Sequence, residues 1–272
     1  MDMIVFPNAK INIGLYVTER RADGYHNLET VFYPIGLSDT LSISPNEFNR
    51  CNFTMHGLPI DCSSQDNLIT KTYLLFQERF HIGGVSIDFV KNIPMGAGLG
   101  GGSADAAFTA IELNRLFQLG LSAEELRALV KPLGADCPFF IDNRPSYAEG
   151  IGDLLTPIDL SLKGYHLLLV KPDVHVSTAE AYRNIHPKES GMHLPSVLAQ
   201  TAIEEWKDVI RNDFEASVFP AHPELAHIKQ SLYEQGAVYA AMSGSGSTLF
   251  GLFKDMPDAS PFKEHFTYLQ TC

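Results

Sequence analysis

A run of five glycines in seven positions, Gly96 to Gly102, is the stretch of this sequence best suited to chemistry. Glycine has no Cβ, so its backbone N–H groups can approach an anion closely. The N–H groups and the positive dipole end of a following helix favour phosphate at the same place. The run therefore predicts a phosphate-binding loop, provided that a strand precedes it and a helix follows it.

The residues on either side of the run have the periodicities of a strand and a helix. Apolar residues alternate over 85–89, as in a half-buried strand. Ala104, Ala107, Phe108 and Ile111 follow at helical spacing and predict one apolar stripe against a core. The predicted order is strand, glycine loop, helix.

Two common phosphate-binding patterns fit the run poorly. Gly96, Gly98 and Gly101 satisfy GxGxxG, but a dinucleotide-binding fingerprint opens a compact βαβ unit, and here two helical segments follow. A Walker P-loop needs Lys and then Ser or Thr after its last glycine, and no lysine lies between Lys91 and Lys131. The remaining alternative is a turn that only joins a strand to a helix, and the entropy lost on ordering five glycines argues against it.

Two candidate catalytic residues lie far from the glycine run. Lys10 begins an alternating segment over 10–17 that predicts a strand, with Lys10 and Asn12 on the face opposite to the isoleucines. A lysine at the start of a strand is commonly a solvated edge charge, and that alternative stays open. Asp136 precedes Cys137-Pro138, where an aspartate suits a helix N-cap as well as an active site.

Composition and charge argue against some classes of function. The chain has 272 residues and a formal net charge of −12, which disfavours nucleic-acid or anionic-membrane binding because both need a basic face. A local loop can still bind small anions, since distant charges are screened. The sequence shows no leader-like segment and no apolar run of membrane length. The four cysteines, Cys51, Cys62, Cys137 and Cys272, lack metal-finger spacing. Together these features predict a cytoplasmic protein with reduced cysteines.

Three separated segments resemble the motifs of the GHMP kinase superfamily, the small-molecule kinases that include galactokinase, homoserine kinase and mevalonate kinase. They are Pro7 to Leu15, Pro94 to Ala107, and Ser243 to Ser247, the last of which is also acceptable as a plain hairpin loop. Gly134-Ala135-Asp136 resembles a further family motif. The glycine run departs from the usual pattern, because two glycines stand where two serines are usual and a single Ser103 follows.

The resemblance implies an ATP-dependent kinase that uses Mg²⁺, with a two-lobed α/β (α+β) fold and the active site in the cleft between the lobes. Lys10 and Asp136 are then catalytic, with Asp136 taking the proton of the substrate hydroxyl. Ser103 is a candidate ligand of Mg²⁺, and the other metal ligands stay open. The implied ATP-binding residues are Pro94, Met95, Gly96, Ala97, Gly98, Leu99, Gly100, Gly101, Gly102, Ser103 and Ala104.

The segment Arg21 to His26 resembles one branch of the superfamily, whose substrate carries a cytidine diphosphate group. It implies a small-molecule substrate, a cytidine diphosphate ester of methylerythritol, in the non-mevalonate route to isoprenoid precursors. The alternatives are a kinase for mevalonate, homoserine or a sugar, and a nucleotide-binding regulatory protein without turnover. For Tyr182, ordinary packing of an amphipathic helix is an equal alternative. The implied substrate-binding residues are Asn12, Tyr25, His26, Tyr182, Gly244 and Ser245.

Local patterns complete the prediction. We expect an N-terminal ATP-binding domain over 1–155 and a C-terminal domain over 156–272, divided near the glycine turn at 148–153. Capping boxes are predicted at Ser122–Glu125 and Ser177–Glu180. The segment over 187–200 is expected to be irregular. A strand is expected over 31–33 after a long turn. A helix ending at Phe80 is expected to bury Leu68, Tyr73, Leu74 and Phe76.

Overall fold

The computed structural model describes residues 3–60 and 66–272, so Cys62 lies outside the described residues. The strands are β1 Met3–Val5, β2 Asn8–Arg20, β3 His26–Ser38, β4 Thr40–Asn46, β5 Cys51–Gly57, β6 Gly84–Lys91, β7 Ser146–Glu149, β8 Leu154–Pro157, β9 His166–Lys171, β10 Tyr239–Met242, β11 Leu249–Phe253 and β12 Phe266–Thr271. The helices are α1 Leu68–Phe80, α2 Gly101–Leu116, α3 Ala123–Val130, α4 Cys137–Asp142, α5 Thr178–Arg183, α6 Leu194–Gln200, α7 Trp206–Val209, α8 Asp213–Val218 and α9 Pro223–Glu234.

The chain forms two compact units that are interleaved along the sequence. The first unit comprises the described parts of Met1–Lys10, Pro34–Met95 and Gly100–Arg144. The second unit is made of Ile11–Tyr33, Gly96–Leu99 and Pro145–Cys272. The chain therefore passes from one unit to the other inside β2 and inside β3, and the glycine run contributes to both units.

The first unit is a sheet covered by helices. Its strand order is β1-β4-β6-β5, in which β5 and β6 are parallel and the other pairs antiparallel. Alternate residues of β6, Val85, Ile87 and Phe89, are buried in a core shared with α1, α2 and α3. The strand ends at Lys91, and the glycine run leads from there to α2.

The second unit is built from antiparallel strands and short helices. One sheet has the order β10-β11-β9-β12, and another has the order β2-β3-β7-β8. The core against the first of these sheets is apolar, with β9 and β11 packed on α8 and α9. Within the described part of the chain, no helix combines the length and the apolar character that crossing a membrane requires.

The structure confirms the strand, loop and helix around the glycine run and the strand over 10–17. It confirms the capping box of α3, in which Ser122 and Glu125 exchange both hydrogen bonds. At Ser177 only half of the predicted box forms. Ser177 Oγ accepts from the Glu180 backbone N–H, but the Glu180 carboxylate lies 2.9 Å from His222 Nε2 instead of bonding back to Ser177.

Several predicted boundaries and burial patterns are wrong. The strand expected at residue 31 begins at His26, and α6 occupies part of the segment expected to be irregular. Leu74 is 48% exposed, so it does not belong to the buried face of α1. On α2 the predicted stripe is too narrow: Phe108 and Ile111 are only partly buried, while the core also includes Ala106, Ala110 and Leu113. The wider face follows from packing against α1, α4 and β4.

Burial of β2 on both faces overturns the alternative of a solvated Lys10. Lys10 and Asn12 are each 3% exposed, although they lie on the face that the alternation predicted to be polar. A buried lysine needs a partner for its charge. This places both residues inside the molecule and makes their contacts informative.

Candidate active site

Lys10 and Asp136 form an ion pair in the first unit. Lys10 Nζ lies 3.4 Å from Asp136 Oδ2, and the side chains are 4% and 30% exposed, respectively. Asp136 occupies the N-cap position of α4, but its side chain makes no cap hydrogen bond. The carboxylate is therefore directed to the lysine and remains accessible to a small molecule.

The electrostatics of this pair are set by burial. Burial lowers the pKa of Lys10 from its ordinary value of 10.5, and the charge and hydrogen bond of Asp136 oppose that shift. The Asp136 carboxylate therefore helps to keep the buried ammonium charged.

The glycine run supplies backbone shapes that other residues rarely adopt. Gly98 and Gly100 have φ of +73° and +70°. A Cβ on Gly100 would lie 2.9 Å from Phe140 Cζ and 3.2 Å from Lys10 Cε, so the loop passes directly over the lysine side chain in the first unit. The lysine of the ion pair and the start of α2 are thus neighbours.

The start of α2 has the features of an anion site. Gly100 is the N-cap and provides no side-chain cap, and the N–H groups of a first helical turn have no partner within the helix. Gly102 is exposed, and a Cβ added to it would lie 3.5 Å from Leu68 Cδ1, which is ordinary contact. Of the predicted ATP-binding residues, Gly101 to Ala104 form the first turn of α2, and Pro94 and Met95 lie in the loop after β6.

A buried ion cluster of Lys91, Asp39 and Asp105 supports both ends of the run. Lys91 Nζ donates to Asp39 Oδ2 and, at 3.0 Å, to Asp105 Oδ2. Asp39 Oδ1 accepts from the backbone N–H groups of Asn92 and Ile93 at 2.6 and 2.8 Å. Burial raises the pKa of Asp105 well above its usual range, which the neighbouring lysine opposes. The cluster ties the end of β6 to the second turn of α2.

In the second unit, Asn12, Gly98 and the Gly/Ser loop, residues 243–248, lie together. A Cβ on Gly244 would lie 3.3 Å from Asn12 Oδ1 and 3.4 Å from Gly98 O. Asn12 Nδ2 donates to Thr30 Oγ1 at 3.0 Å. Gly244 is buried and Ser245 is half-buried. The structure therefore brings together predicted residues that are more than 80 positions apart in the sequence.

The predicted base-binding aromatics are partly assembled. His26 and Tyr182 are stacked, with ring centroids 4.6 Å apart and planes at 18°. Burial, and then the charge of Arg20, lowers the pKa of His26, which favours the neutral ring. Tyr182 also packs edge-on against Phe214, so stacking and helix packing both hold for it. Tyr25 is 62% exposed and its side chain points to solvent.

Ser103 lies beside the catalytic candidates of the first unit. Its hydroxyl bonds to the thiol of Cys137, whose pKa burial raises to about 12, so the thiol stays neutral. Among residues 3–60 and 66–272, no group of three or more His, Cys, Asp or Glu is arranged to hold a metal ion. A metal here would need oxygen ligands from a bound phosphate as well as from the protein.

The sequence matches two family models in chain order: the GHMP kinases N-terminal domain over residues 67–143 and the GHMP kinases C-terminal domain over residues 196–267. A 4-diphosphocytidyl-2-C-methyl-D-erythritol kinase of Bacteroides thetaiotaomicron is 53% identical over 93% of this chain and 92% of its own length. The chain belongs to the GHMP kinase family. A kinase of the same name from Bacteroides fragilis is 54% identical over 92% of each chain.

Solved structures agree with this membership. The crystal structure of a 4-(cytidine 5'-diphospho)-2C-methyl-D-erythritol kinase is similar to this GHMP kinase with a TM-score of 0.81, at 32% identity over 98% of each chain. The predicted fold class and family are thereby confirmed. Membership also identifies ATP as the phosphate donor.

Sequence reasoning missed the residues that hold this GHMP kinase's motifs in place. Asp39, Lys91 and Asp105 are buried, and one signal was available: an acid at 105 among small apolar residues of a helix predicted to face the core. Asn212 was also missed, although its side chain donates to Met242 O and Gly244 O at 2.7 and 2.8 Å. An asparagine before a helix was visible only as an N-cap, which it also is.

Proposed function

We propose that this GHMP kinase transfers the γ-phosphate of ATP to the 2-hydroxyl of 4-diphosphocytidyl-2-C-methyl-D-erythritol, giving the 2-phosphate and ADP in the non-mevalonate isoprenoid precursor pathway. The observation that carries the chemistry is the pair of Lys10 and Asp136 next to the glycine-rich start of α2. The substrate rests on relatives of that name that match almost the whole chain at about half of its positions.

Asp136 orients the substrate hydroxyl and accepts its proton, and the positive charge of Lys10 lies beside that carboxylate. The side chain of Asp136 is accessible enough to meet a hydroxyl, while the buried Lys10 holds it in one position. The backbone of residues 94–104 holds the phosphates through N–H groups at the start of α2. Phosphoryl transfer needs mainly positioning and charge stabilisation, which is what these groups provide.

Mg²⁺ is part of this proposal. It would neutralise charge on the β- and γ-phosphate oxygens. The Ser103 hydroxyl lies in the first turn of α2, bonds to the thiol of Cys137, the residue after Asp136, and has the oxygen chemistry that Mg²⁺ prefers. Oxygens of the bound phosphates would complete the coordination of the ion.

Substrate specificity is assigned to Asn12, Tyr25, His26, Tyr182, Gly244 and Ser245. The stacked rings of His26 and Tyr182 are flat surfaces of the kind on which a cytosine can stack. We also infer that residues 1–155 form the ATP-binding domain and 156–272 the second domain. A cytoplasmic location is consistent with the free thiols of Cys51, Cys137 and Cys272.

The test is ADP release with Mg-ATP and a panel of the cytidyl substrate, mevalonate, homoserine and galactose. We expect turnover with the cytidyl substrate alone. The Asp136→Ala and Asp136→Asn variants are expected to lose at least about a thousandfold in kcat while ATP affinity changes little, because Asp136 acts on the hydroxyl and not on ATP.

Activity on another member of the panel would retain the kinase and discard the base-binding assignment. ATP binding without turnover on any of the four would support the regulatory alternative. A loss below about tenfold in both Asp136 variants would remove Asp136 from the role of base.

A further inference from the structure

Ser243 has a buried hydroxyl that no assignment above uses. The residue is fully buried and follows β10, at the start of the Gly/Ser loop. Its Oγ accepts from the Asn12 backbone N–H at 3.2 Å and donates to Gly98 O at 2.9 Å. One hydroxyl therefore acts as donor and acceptor to two other segments of the second unit.

The two partners of Ser243 lie in different motifs. Asn12 belongs to the segment that also carries Lys10, Gly98 to the glycine run, and Ser243 to the Gly/Ser loop. A second bond, from Thr248 N–H to Ala97 O at 3.3 Å, joins the last two motifs. A hydroxyl placed at the meeting point of three functional segments can fix their relative positions.

The packing around this hydroxyl leaves little freedom. A Cβ on Gly98 would lie 2.0 Å from Ser243 O, so the two backbones are in direct contact. A buried N–H or C=O that loses its partner is costly. Removing the hydroxyl would therefore take one buried hydrogen bond from Asn12 N–H and one from Gly98 O, and the three segments would be held less precisely.

We propose that Ser243 is a positioning residue, whose hydroxyl fixes the glycine segment 96–99 and the first motif against the Gly/Ser loop. Phosphate-binding and substrate-binding groups of the second unit then keep one relative geometry. The inference rests on the proposed function, because it assigns these three segments to one reaction.

The experiment compares Ser243→Ala with Ser247→Ala, using steady-state kinetics, calorimetric ATP binding and thermal unfolding. Ser247 is a matched control: it is fully buried in the same loop, and its Oγ donates to Val174 O at 2.6 Å, outside the three motifs. Both variants lose a buried hydrogen bond, so both are expected to lower the Tm.

The kinetics are expected to separate the two variants. Ser243→Ala lowers kcat/KM about tenfold to a hundredfold, with higher KM for ATP and for the cytidyl substrate, because small misplacements of reacting groups cost rate steeply. Ser247→Ala, whose lost hydrogen bond goes to a segment outside the three motifs, is expected to lose at least about fivefold less in kcat/KM than Ser243→Ala. If Ser243→Ala does not fold, Ser243→Cys serves instead, since a thiol keeps the shape and weakens both hydrogen bonds.

Two results would overturn the inference: a folded Ser243 variant with wild-type kinetics and ATP affinity, or equal kinetic losses in the variants of Ser243 and Ser247. A wild-type protein without turnover on the cytidyl substrate would instead refute the proposed function. The inference would then be decided by ATP affinity, which Ser243→Ala is expected to weaken about tenfold and Ser247→Ala to weaken clearly less.

Discussion

The Gly98→Ala substitution tests how closely the glycine run approaches the Gly/Ser loop. The added Cβ would lie 2.0 Å from Ser243 O and 2.9 Å from its carbonyl carbon, and real Cβ atoms essentially never come within 3.0 Å of other heavy atoms. Both partners are backbone, so no side chain can turn away. One of the two segments must shift by about 1 Å, the difference between 3.0 and 2.0 Å.

A shift of this size sets the expected magnitudes. Alanine at φ of +73° costs about 1–2 kcal/mol by itself. Overpacking adds about 1–3 kcal/mol, so the unfolding free energy should fall by about 2–5 kcal/mol. Misplacing phosphate-holding groups by about 1 Å should lower kcat/KM about a hundredfold.

Gly120→Ala is the matched control for this substitution. Gly120 has φ of +70°, and an added Cβ would meet no atom within 4 Å. It should lose about 1–2 kcal/mol in urea unfolding and keep its kcat/KM, because it shares the backbone strain without the collision. Equal unfolding free energies and equal kinetics for the two variants would refute the close approach.

Three further predictions concern buried groups. Asp39→Asn should lower the unfolding free energy in urea at least about 2 kcal/mol more than Asp105→Asn. The backbone N–H groups of Asn92 and Ile93 hold the amide oxygen at 39, so its NH2 group would face the Lys91 ammonium, whereas an amide at 105 can still turn its oxygen to Lys91. Equal losses would contradict this. Asn212→Asp keeps the cap acceptor but places a carboxylate oxygen against the carbonyls of Met242 and Gly244, so the KM for both substrates should rise about tenfold. In Asn212→Ser the KM values should rise less, because no negative charge is introduced. By NMR of the side-chain carbon next to Nζ, the pKa of Lys10 should lie below 10.5, and lower still in Asp136→Asn, because the carboxylate charge no longer opposes the effect of burial. An unchanged pKa in that variant would refute the coupling.

The sign of the Lys10 effect on stability follows from the same shift. The folded-state pKa is lowered from 10.5, so the unfolded chain binds the proton more tightly in the window between the two values. The contribution of Lys10 to the unfolding free energy therefore rises with pH across that window. Below the folded pKa, the charged and buried Lys10 carries its full desolvation cost.

Local sequence signals predicted the local structure well. The capping box of α3 and the glycine run are encoded within a few residues, and their chemistry leaves few alternatives. The start of β3 was missed because the segment from His26 to Thr30 is polar and lacks an apolar alternation. That strand forms through pairing with distant partners, such as Thr30 with Ala148 in β7.

The supports of the site could not be predicted from local patterns. Lys91 is 52 positions from Asp39, and Ser243 is 145 positions from Gly98. A charged or hydroxyl residue that ends buried has the same local pattern as one that stays exposed, because the difference lies in what the fold brings to it. Residues inside recognisable motifs, such as Lys10 and Asp136, could therefore be proposed from the sequence, whereas the residues that hold those motifs in place could not.

Asp136 shows how the structure bears on one of the two interpretations of a residue, here that of a helix N-cap. A capping aspartate accepts from the N–H of the second or third helical residue. In α4 the second residue is Pro138, which has no N–H, and the N–H of the third, Phe139, donates to the backbone O of Asp136 at 3.2 Å. The helix can begin without the carboxylate, which is thereby left to Lys10 and to a substrate. We therefore expect Asp136→Ala to cost α4 little stability and, if Asp136 is the proposed base, to abolish turnover.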